Sequence, residues 1–309
     1  MNKKLLFYIL KRILLALLTI VIVITVTFFA MQLIPGGPFT SEKPKTPEAL
    51  ARMEEKYGLN QPLFIQYIKY LGRALVWDFG VSIKSDGAVL VNDIISDRMQ
   101  YSATIGIIAA VIAIIFGVIL GSIAAYKHNT AADRAIMVLS TASVAVPSFI
   151  ISTIFLYLFC VVWKILPANG KSWQGFILPT ITLSFSPMAY IIRLTRSSTL
   201  DVLNSDYIRT AYAKGASFSR VLYKHSLRNS LTPVITYAGP MIAFILTGSL
   251  VVEQIYGIPG IGREFVTSIT NRDYPLIMGL TIFLTYLVIS MVLVSDILYK
   301  VVNPRVELE

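Results

Sequence analysis

The sequence predicts an all-α polytopic membrane protein with six transmembrane helices. Its 309 residues are 55% hydrophobic and only 14% charged, whereas an ordinary soluble domain has about 25% charged residues. The apolar residues form long runs of the length, about 20 residues, that a helix needs to cross a bilayer. The net charge of +10 is unevenly divided among the segments between these runs. Together these features exclude disordered, coiled-coil and soluble nucleic-acid-binding proteins.

The six apolar runs are the predicted spans. They cover residues 13–34, 102–126, 135–163, 176–192, 233–255 and 276–294. The first run is too long for a signal peptide, whose apolar region is about 7–15 residues, so we expect a retained helix. The fourth is short and contains Pro179 and Pro187. Because proline removes a backbone donor, we expect this span to be kinked or buried in the helix bundle.

The distribution of charge predicts the orientation. With six spans, both termini lie on one side of the membrane. That side would hold 15 basic and 6 acidic residues, against 12 and 11 on the other side. Cytoplasmic loops carry the excess of Lys and Arg, so we expect both termini in the cytoplasm. The positive charge then reflects topology and contact with anionic inner-leaflet lipid rather than nucleic acid.

A long outer segment separates the first two spans. Thr46-Pro47-Glu48 is typical of a helix start, and helical spacing of apolar residues recurs from Pro62 to Leu75. These stretches predict a small helical cap that rests on the outer membrane surface. A docking surface for an extracellular partner is the alternative.

The longest cytoplasmic segment, residues 193–232, reads as two short helices. Asp206 caps the first, and Gly215 ends it after Lys214. The second starts at Ser217 or Ser219 and continues to Asn229. Charged residues alternate with small and apolar ones, so one face of each helix is apolar. Such a face either docks onto a protein partner or lies flat in the lipid headgroups.

Tests for chemical motifs exclude several function classes. Gly170-Lys171-Ser172 lacks the glycine that a phosphate-binding loop requires at position 165. No metalloprotease or Ser-hydrolase motif occurs in the sequence. Glu253 and Asp296 are expected near the ends of their spans, paired with Arg, Lys or a backbone N–H. They form no chain of midplane charges, so we expect any transport to draw its energy from another protein.

Small residues in the second span predict close helix packing. Gly117 and Gly121 form a Gly-x-x-x-Gly pattern, which lets helices approach closely. The single cysteine, Cys160, lies in an apolar run and is interpreted as a small hydrophobic residue.

Residues 209–233 carry a recognisable pattern. This segment resembles the EAA loop of binding-protein-dependent ABC transporter permeases. The pattern of that loop is Glu-Ala-Ala, three residues, Gly, nine residues and Ile-x-Leu-Pro. Ala211, Gly215 and Leu227 match it. The positions that depart from it are Arg209, Thr210, His225 and Arg228. These departures resemble the variant found in oligopeptide and dipeptide permeases of the OppB/DppB type.

Other stretches are similar to the same subfamily, so that the resemblance covers nearly the whole chain. They are Pro35-Gly36-Gly37-Pro38, Asp78-Phe79-Gly80 with Ser82, residues 252–262, Arg272-Asp273-Tyr274-Pro275 and the C-terminal Asn303-Pro304-Arg305, where Asp is more usual than Asn303.

The resemblance implies a type I ABC importer permease with a MetI-like core, an extra N-terminal helix and a large outer loop. It divides the chain into the N-terminal tail and first helix (1–34), the extracytoplasmic loop (35–98), the five-helix core (99–299) and a cytoplasmic tail (300–309). It implies a non-catalytic subunit of an ATP-driven importer of oligopeptides or dipeptides in the bacterial cytoplasmic membrane. The alternatives are a related importer for nickel or glutathione, and a stand-alone secondary transporter.

The resemblance also implies the partners and the coupling site. The partners are a second homologous permease, two ABC ATPase subunits, an extracytoplasmic peptide-binding protein and membrane lipid. No cofactor or metal is expected in this chain, because ATP and Mg would be bound by the ATPases. The residues expected to couple to them are Tyr207, Ile208, Arg209, Thr210, Ala211, Tyr212, Ala213, Lys214, Gly215, Ala216 and Ser217. No residue of the substrate path is predicted.

Overall fold

A computed structural model of the chain describes residues 3–34, 60–83, 89–167, 170, 172–217, 221, 226 and 230–302. Within these residues the chain is helical, apart from turns and one isolated antiparallel bridge between Val81 and Leu90. The α-helices are α1 Lys3–Gln32, α2 Leu63–Leu75, α3 Val91–Tyr126, α4 Ala131–Ala145, α5 Ser148–Phe155, α6 Ile177–Leu203, α7 Asp206–Ala213, α8 Thr232–Leu246, α9 Leu250–Ile255, α10 Ile261–Thr270 and α11 Tyr274–Val302.

The predicted all-α membrane fold is confirmed. Within the described residues, five helical segments are long and apolar enough to cross a membrane, and a bent pair of helices makes a sixth if it counts as one span. The predicted helix at Pro62–Leu75 is confirmed as α2. The predicted helix start at Thr46 and the Pro35-Gly36-Gly37-Pro38 turn lie outside the described residues.

The third predicted span is not a straight helix. α4 ends at Ala145, and α5 leaves it at 99° and continues as a π-helix over Leu156–Val162. The cause is Pro147, which disfavours helical backbone at the preceding residue. Val146 is accordingly extended, with φ −88° and ψ 119°. The predicted third span over 135–163 is therefore broken at Pro147 and does not run as one helix.

The fourth span is longer and more deeply packed than its apolar run indicates. α6 continues through Pro187 and extends eleven residues beyond Ile192, so Arg193 lies within the helix. Half of the residues in its most apolar stretch are buried. Burial in the bundle, one of the two predicted alternatives, is thus the observed one, because packed neighbours compensate for polar and proline positions.

The chain divides into two compact units, one formed by residues 1–100 and 263–289 and the other by residues 101–262 and 290–309. In the first unit, α2 packs along α1. The Thr25 and Tyr67 hydroxyls lie 2.8 Å apart, and the rings of Phe28 and Tyr70 stack at 6.0 Å. These contacts hold α2 beside the end of α1 that precedes the outer segment.

Two of the motifs that define the resemblance meet in this first unit. Asp273 is buried and accepts hydrogen bonds from the Ser82 hydroxyl and from the Ile83 N–H. Arg73 forms a salt bridge with Asp78, and its hydrogen bonds hold the pKa of that carboxyl below its usual value. Asp273 therefore joins the start of α11 to the segment that follows α2.

In the second unit, α3 packs against α6 through glycine. A Cβ atom built on Gly117 would lie 2.6 Å from Ile191, and one built on Gly121 would lie 2.6 Å from the carbonyl oxygen of Ile192. The predicted packing role of this Gly-x-x-x-Gly pair is confirmed.

Gly121→Ala is expected to lower stability, because its methyl group would meet the backbone of α6 rather than a movable side chain. Overpacking of this kind costs about 1–3 kcal/mol. Gly72→Ala in α2 is the matched control, since a Cβ there has nothing within 4 Å. The midpoint of thermal unfolding in detergent should fall for Gly121→Ala only, and equal midpoints for the two variants would contradict this packing.

Candidate functional site

The predicted coupling residues lie on and just beyond α7. Its N-cap is Ser205, with extended backbone at φ −77° and ψ 151°, and Asp206 is the first helical residue. The sequence interpretation had placed the cap at Asp206, one residue too late. A carboxylate in the first turn still favours the helix, because it faces the positive end of the helix dipole.

The end of α7 is set by Gly215, as predicted. The Ala216 N–H donates to the Ala211 carbonyl at 3.1 Å, and the Gly215 N–H donates to the Tyr212 carbonyl at 2.9 Å. This pair of bonds is a Schellman motif, which needs a residue with left-handed backbone at the position after the cap. Gly215 has φ +78°, so a residue without Cβ turns the chain sharply at this point.

Most of the described side chains of α7 are exposed, and one, Ile208, is buried. Ile208 is 1% exposed and packs into the chain itself, while Ala211 and Ala216 are half-buried. The remaining coupling residues are exposed: Tyr207, Arg209, Thr210, Tyr212, Ala213, Lys214, Gly215 and Ser217. Two tyrosines that are 44% and 43% exposed, beside one buried isoleucine, agree with the predicted role of α7 as a docking helix.

The second predicted helix of this segment falls largely outside the described residues. Only Ser217, Val221 and Ser226 of its predicted span are described, and Val221 and Ser226 are buried.

A buried ion pair, which the sequence interpretation missed, fixes the helix that leads into α7. Asp133 of α4 is 3% exposed. Arg196 of α6 donates to its two carboxylate oxygens from Nε at 2.7 Å and from a terminal nitrogen at 2.8 Å. The Asn129 N–H donates a third bond at 3.0 Å. Bidentate geometry is the strong form of this contact, so α4 and α6 are held in one register.

A second buried carboxylate lies at the opposite end of the second unit. Glu253 of α9 is fully buried and accepts a hydrogen bond from the Ser102 hydroxyl at 2.7 Å. A Cβ atom on Gly248, Gly260 or Gly262 would lie 2.5–3.0 Å from its carboxylate. This bond comes from a serine on another helix, a partner that the sequence did not indicate.

Ser102 connects three segments. Besides donating to Glu253, its hydroxyl oxygen accepts a bond from the Ile261 N–H at 2.8 Å. The Ile258 N–H donates to the Glu253 carbonyl at 2.9 Å. The turn between α9 and α10 is therefore fastened to α3 through one hydroxyl group, within residues 252–262 of the subfamily pattern.

Ser102→Ala is expected to destabilise the protein, because it removes one donor from a buried carboxylate and the acceptor from a buried N–H. Leaving the Ile261 N–H without its acceptor costs about 1–3 kcal/mol, and the loss of one hydrogen bond to the Glu253 carboxylate adds to this. Ser143→Ala is the matched control, since the Ser143 hydroxyl forms an exposed bond to the Leu139 carbonyl of its own helix. A thermal midpoint in detergent that falls equally in both variants would contradict the role of Ser102.

Comparison with known proteins covers the whole fold. Residues 117–308 match the family described as the binding-protein-dependent transport system inner membrane component, and residues 5–106 match the N-terminal region of such membrane components. The chain is 43% identical to the dipeptide transport system permease protein DppB of Bacillus subtilis, with 97% of this chain and 98% of that protein covered. It is 42% identical to the oligopeptide transport system permease protein OppB of Salmonella typhimurium, at the same coverage.

Solved structures agree on the architecture. The inward-facing methionine ABC transporter MetNI matches with a TM-score of 0.55 and 13% identity, over 68% of this chain and 96% of that chain. An amino acid ABC transporter matches with a TM-score of 0.50 and 13% identity, over 70% of this chain and 95% of that one. At this identity the likeness shows the fold alone.

The family assignment rests on two observations. Two family matches together span most of the chain, and relatives above 40% identity match it over 97% of its length. The chain belongs to the binding-protein-dependent transport permeases: it is a non-catalytic, multi-pass membrane subunit of an ABC transporter.

Proposed function

We propose that this chain is the permease subunit of an ATP-driven importer of oligopeptides or dipeptides. The observation that carries the proposal is the identity of 42–43%, over nearly the full length, to relatives named as dipeptide and oligopeptide permeases. A second homologous permease forms the other half of the path, and an extracytoplasmic binding protein delivers the peptide. Both termini are cytoplasmic, as the distribution of Lys and Arg predicts.

The segment 193–232 couples transport to ATP hydrolysis. Two ATPase subunits bind the cytoplasmic face, and α7 sits in a groove of one of them. The exposed tyrosines and the rigid C-terminal turn at Gly215 support this role. Closure of the ATPase pair moves α7 as a rigid body, and the movement passes into α6 because the two helices are separated only by Asn204 and Ser205. The path then switches between inward-open and outward-open states.

The chemistry of ATP belongs to the partners. ATP and Mg bind to the ATPase subunits, and this chain supplies no cofactor ligand. Its own residues dock, transmit movement and line the path.

Purification in gentle detergent tests the assembly. A second permease and two ATPase copies should co-purify with this chain and be identified by mass. The reconstituted complex should then hydrolyse ATP faster when it is given its binding protein and tri-alanine. A lone chain or a homodimer after crosslinking in intact membranes would overturn the assembly. Stimulation by Ni²⁺ or glutathione, but not by peptide, would overturn the substrate class.

A further inference from the structure

One face of α6 is polar and exposed, although the helix is long and apolar enough to span a membrane. Ser186, Tyr190 and Ser197 are exposed and Arg193 is half-buried. Their spacing of four, three and four residues places them along one side of the helix. The side chains of Ala189, Ile191, Ile192, Thr195 and Thr199, on the other sides, are buried.

Lipid is an unsuitable neighbour for this polar face. Hydroxyl groups within a span are costly against hydrocarbon and face water or other protein instead. Ser186 and Tyr190 lie within the predicted span 176–192, and Arg193 follows it directly. An apolar surface suited to hydrocarbon is available elsewhere in the same unit: Val138 and Leu139 of α4 are 67% and 68% exposed. The polar face of α6 is therefore directed toward an aqueous or protein-lined space.

An aromatic and cationic cluster lies in the middle of this face. The rings of Tyr190 and Tyr237, the latter on α8, are 4.4 Å apart and tilted by 30°. The Arg193 guanidinium carbon is 5.8 Å from the centre of the Tyr190 ring. Among the described residues no carboxylate forms an ion pair with Arg193, so its positive charge is not neutralised by an ion pair within this part of the chain.

We propose that the Ser186–Ser197 face of α6 lines the translocation path, and that Arg193, Tyr190 and Tyr237 bind the terminal carboxylate of a peptide in transit. The inference rests on the proposed peptide substrate and adds a site to it. A guanidinium donates two parallel hydrogen bonds to a carboxylate, and a phenol donates one more. Every unmodified peptide carries this carboxylate, so the contact accepts any side chains.

The position on the helix suits a site whose affinity changes during the cycle. Arg193 lies sixteen residues beyond the start of α6, about 24 Å along its axis. It is ten residues before the end of α6, after which α7 follows at Asp206. A displacement of α7 therefore reaches Arg193 through a continuous helix and separates the guanidinium from a bound carboxylate.

Thiol labelling tests the path. In a Cys160→Ala background, Ser186→Cys and Ser197→Cys are placed on the polar face, Leu139→Cys on the apolar surface and Ile191→Cys in the core. The complete reconstituted complex is treated with a charged, water-soluble methanethiosulfonate. The Ser186→Cys thiol lies within the predicted span and decides the test: it should react at least about tenfold faster than both controls, because the reagent needs a hydrated thiolate. Labelling of Ser186→Cys as slow as that of both controls, with and without ATP, would overturn the path assignment.

Transport of tri-alanine tests the carboxylate contact. Arg193→Gln should lower the maximal transport rate about tenfold or more, the loss expected for a charge-assisted hydrogen bond. Arg193→Lys should retain part of the rate, and the exposed Arg134→Gln should match wild type. The peptide concentration at half-maximal rate should change little, since the binding protein captures the peptide.

Two outcomes separate this inference from the proposed function. Normal tri-alanine transport by Arg193→Gln would overturn the carboxylate contact and leave the peptide function standing. Failure of the wild-type complex to transport tri-alanine or any other peptide would overturn the proposed function and the contact with it, while the labelling would still decide whether α6 lines the path.

Discussion

Gly215→Val is expected to abolish transport while the chain remains inserted in the membrane and bound to its ATPase partners. Gly215 holds a φ of +78° at the end of α7. A left-handed backbone conformation costs a residue with a Cβ atom about 1–2 kcal/mol, and it costs a β-branched residue more. Valine therefore releases the two hydrogen bonds that close the helix. α7 then loses its fixed C-terminal end, so in the proposed coupling a push from the ATPase unwinds α7 instead of passing along it to α6.

The effect at Gly215 is conformational rather than steric. A Cβ atom built there has nothing within 4 Å, so no neighbour has to move. This predicts a graded series. Asn, which tolerates left-handed backbone, should retain most transport, Ala should be intermediate and Val should be lowest.

The measurement is peptide transport and ATP hydrolysis in proteoliposomes that contain the complete complex. In Gly215→Val, hydrolysis should continue without the transport it normally drives. Equal transport by the Asn, Ala and Val variants would show that the left-handed turn does not matter for coupling. A variant that is absent from the membrane would point to a folding role for Gly215 instead.

The parts of the fold that sequence predicts well are those set by local rules. Apolar runs mark the spans because each crossing must bury its own backbone polar groups. Gly215 marks the end of α7 because the left-handed turn favours one residue type. The break at Pro147 also follows from a local rule, because proline disfavours helical backbone at the preceding residue. A single proline hardly changes the average hydropathy of an apolar run, so hydropathy alone did not reveal the break.

The parts that sequence did not predict depend on partners distant in the chain. Ser102 and Glu253 are 151 positions apart, and Asp133 and Arg196 are 63 apart. Each residue alone reads as an ordinary helix-end polar group, and only the packed helices bring the pairs together. The polar face of α6 is similar: its spacing is visible in the sequence, but its meaning requires the burial of the other faces.

Asp133→Ala is expected to be among the most destabilising single substitutions in the second unit. It removes the carboxylate from Arg196, whose side chain is 23% exposed. Breaking a buried pair by removing one partner costs about 3–5 kcal/mol, because the remaining charge is left uncompensated. The loss should lie at the lower end of this range, because Arg196 keeps some contact with solvent. The register between α4 and α6 is lost with it, so transport should fall together with the thermal midpoint in detergent.

A double-mutant cycle separates the pair from its individual residues. Arg196→Met alone should also destabilise, because it leaves Asp133 buried, but the two changes together should cost much less than their sum, since no buried charge remains. Arg209→Gln is the matched control for the thermal midpoint, because Arg209 and Asp206 form an exposed pair at 3.7 Å that contributes about 0–1 kcal/mol. Strictly additive effects of Asp133→Ala and Arg196→Met would mean that the bidentate contact is not what holds α4 to α6. If the double variant instead regains stability but not transport, the pair fixes the position of α6 for coupling as well as for folding.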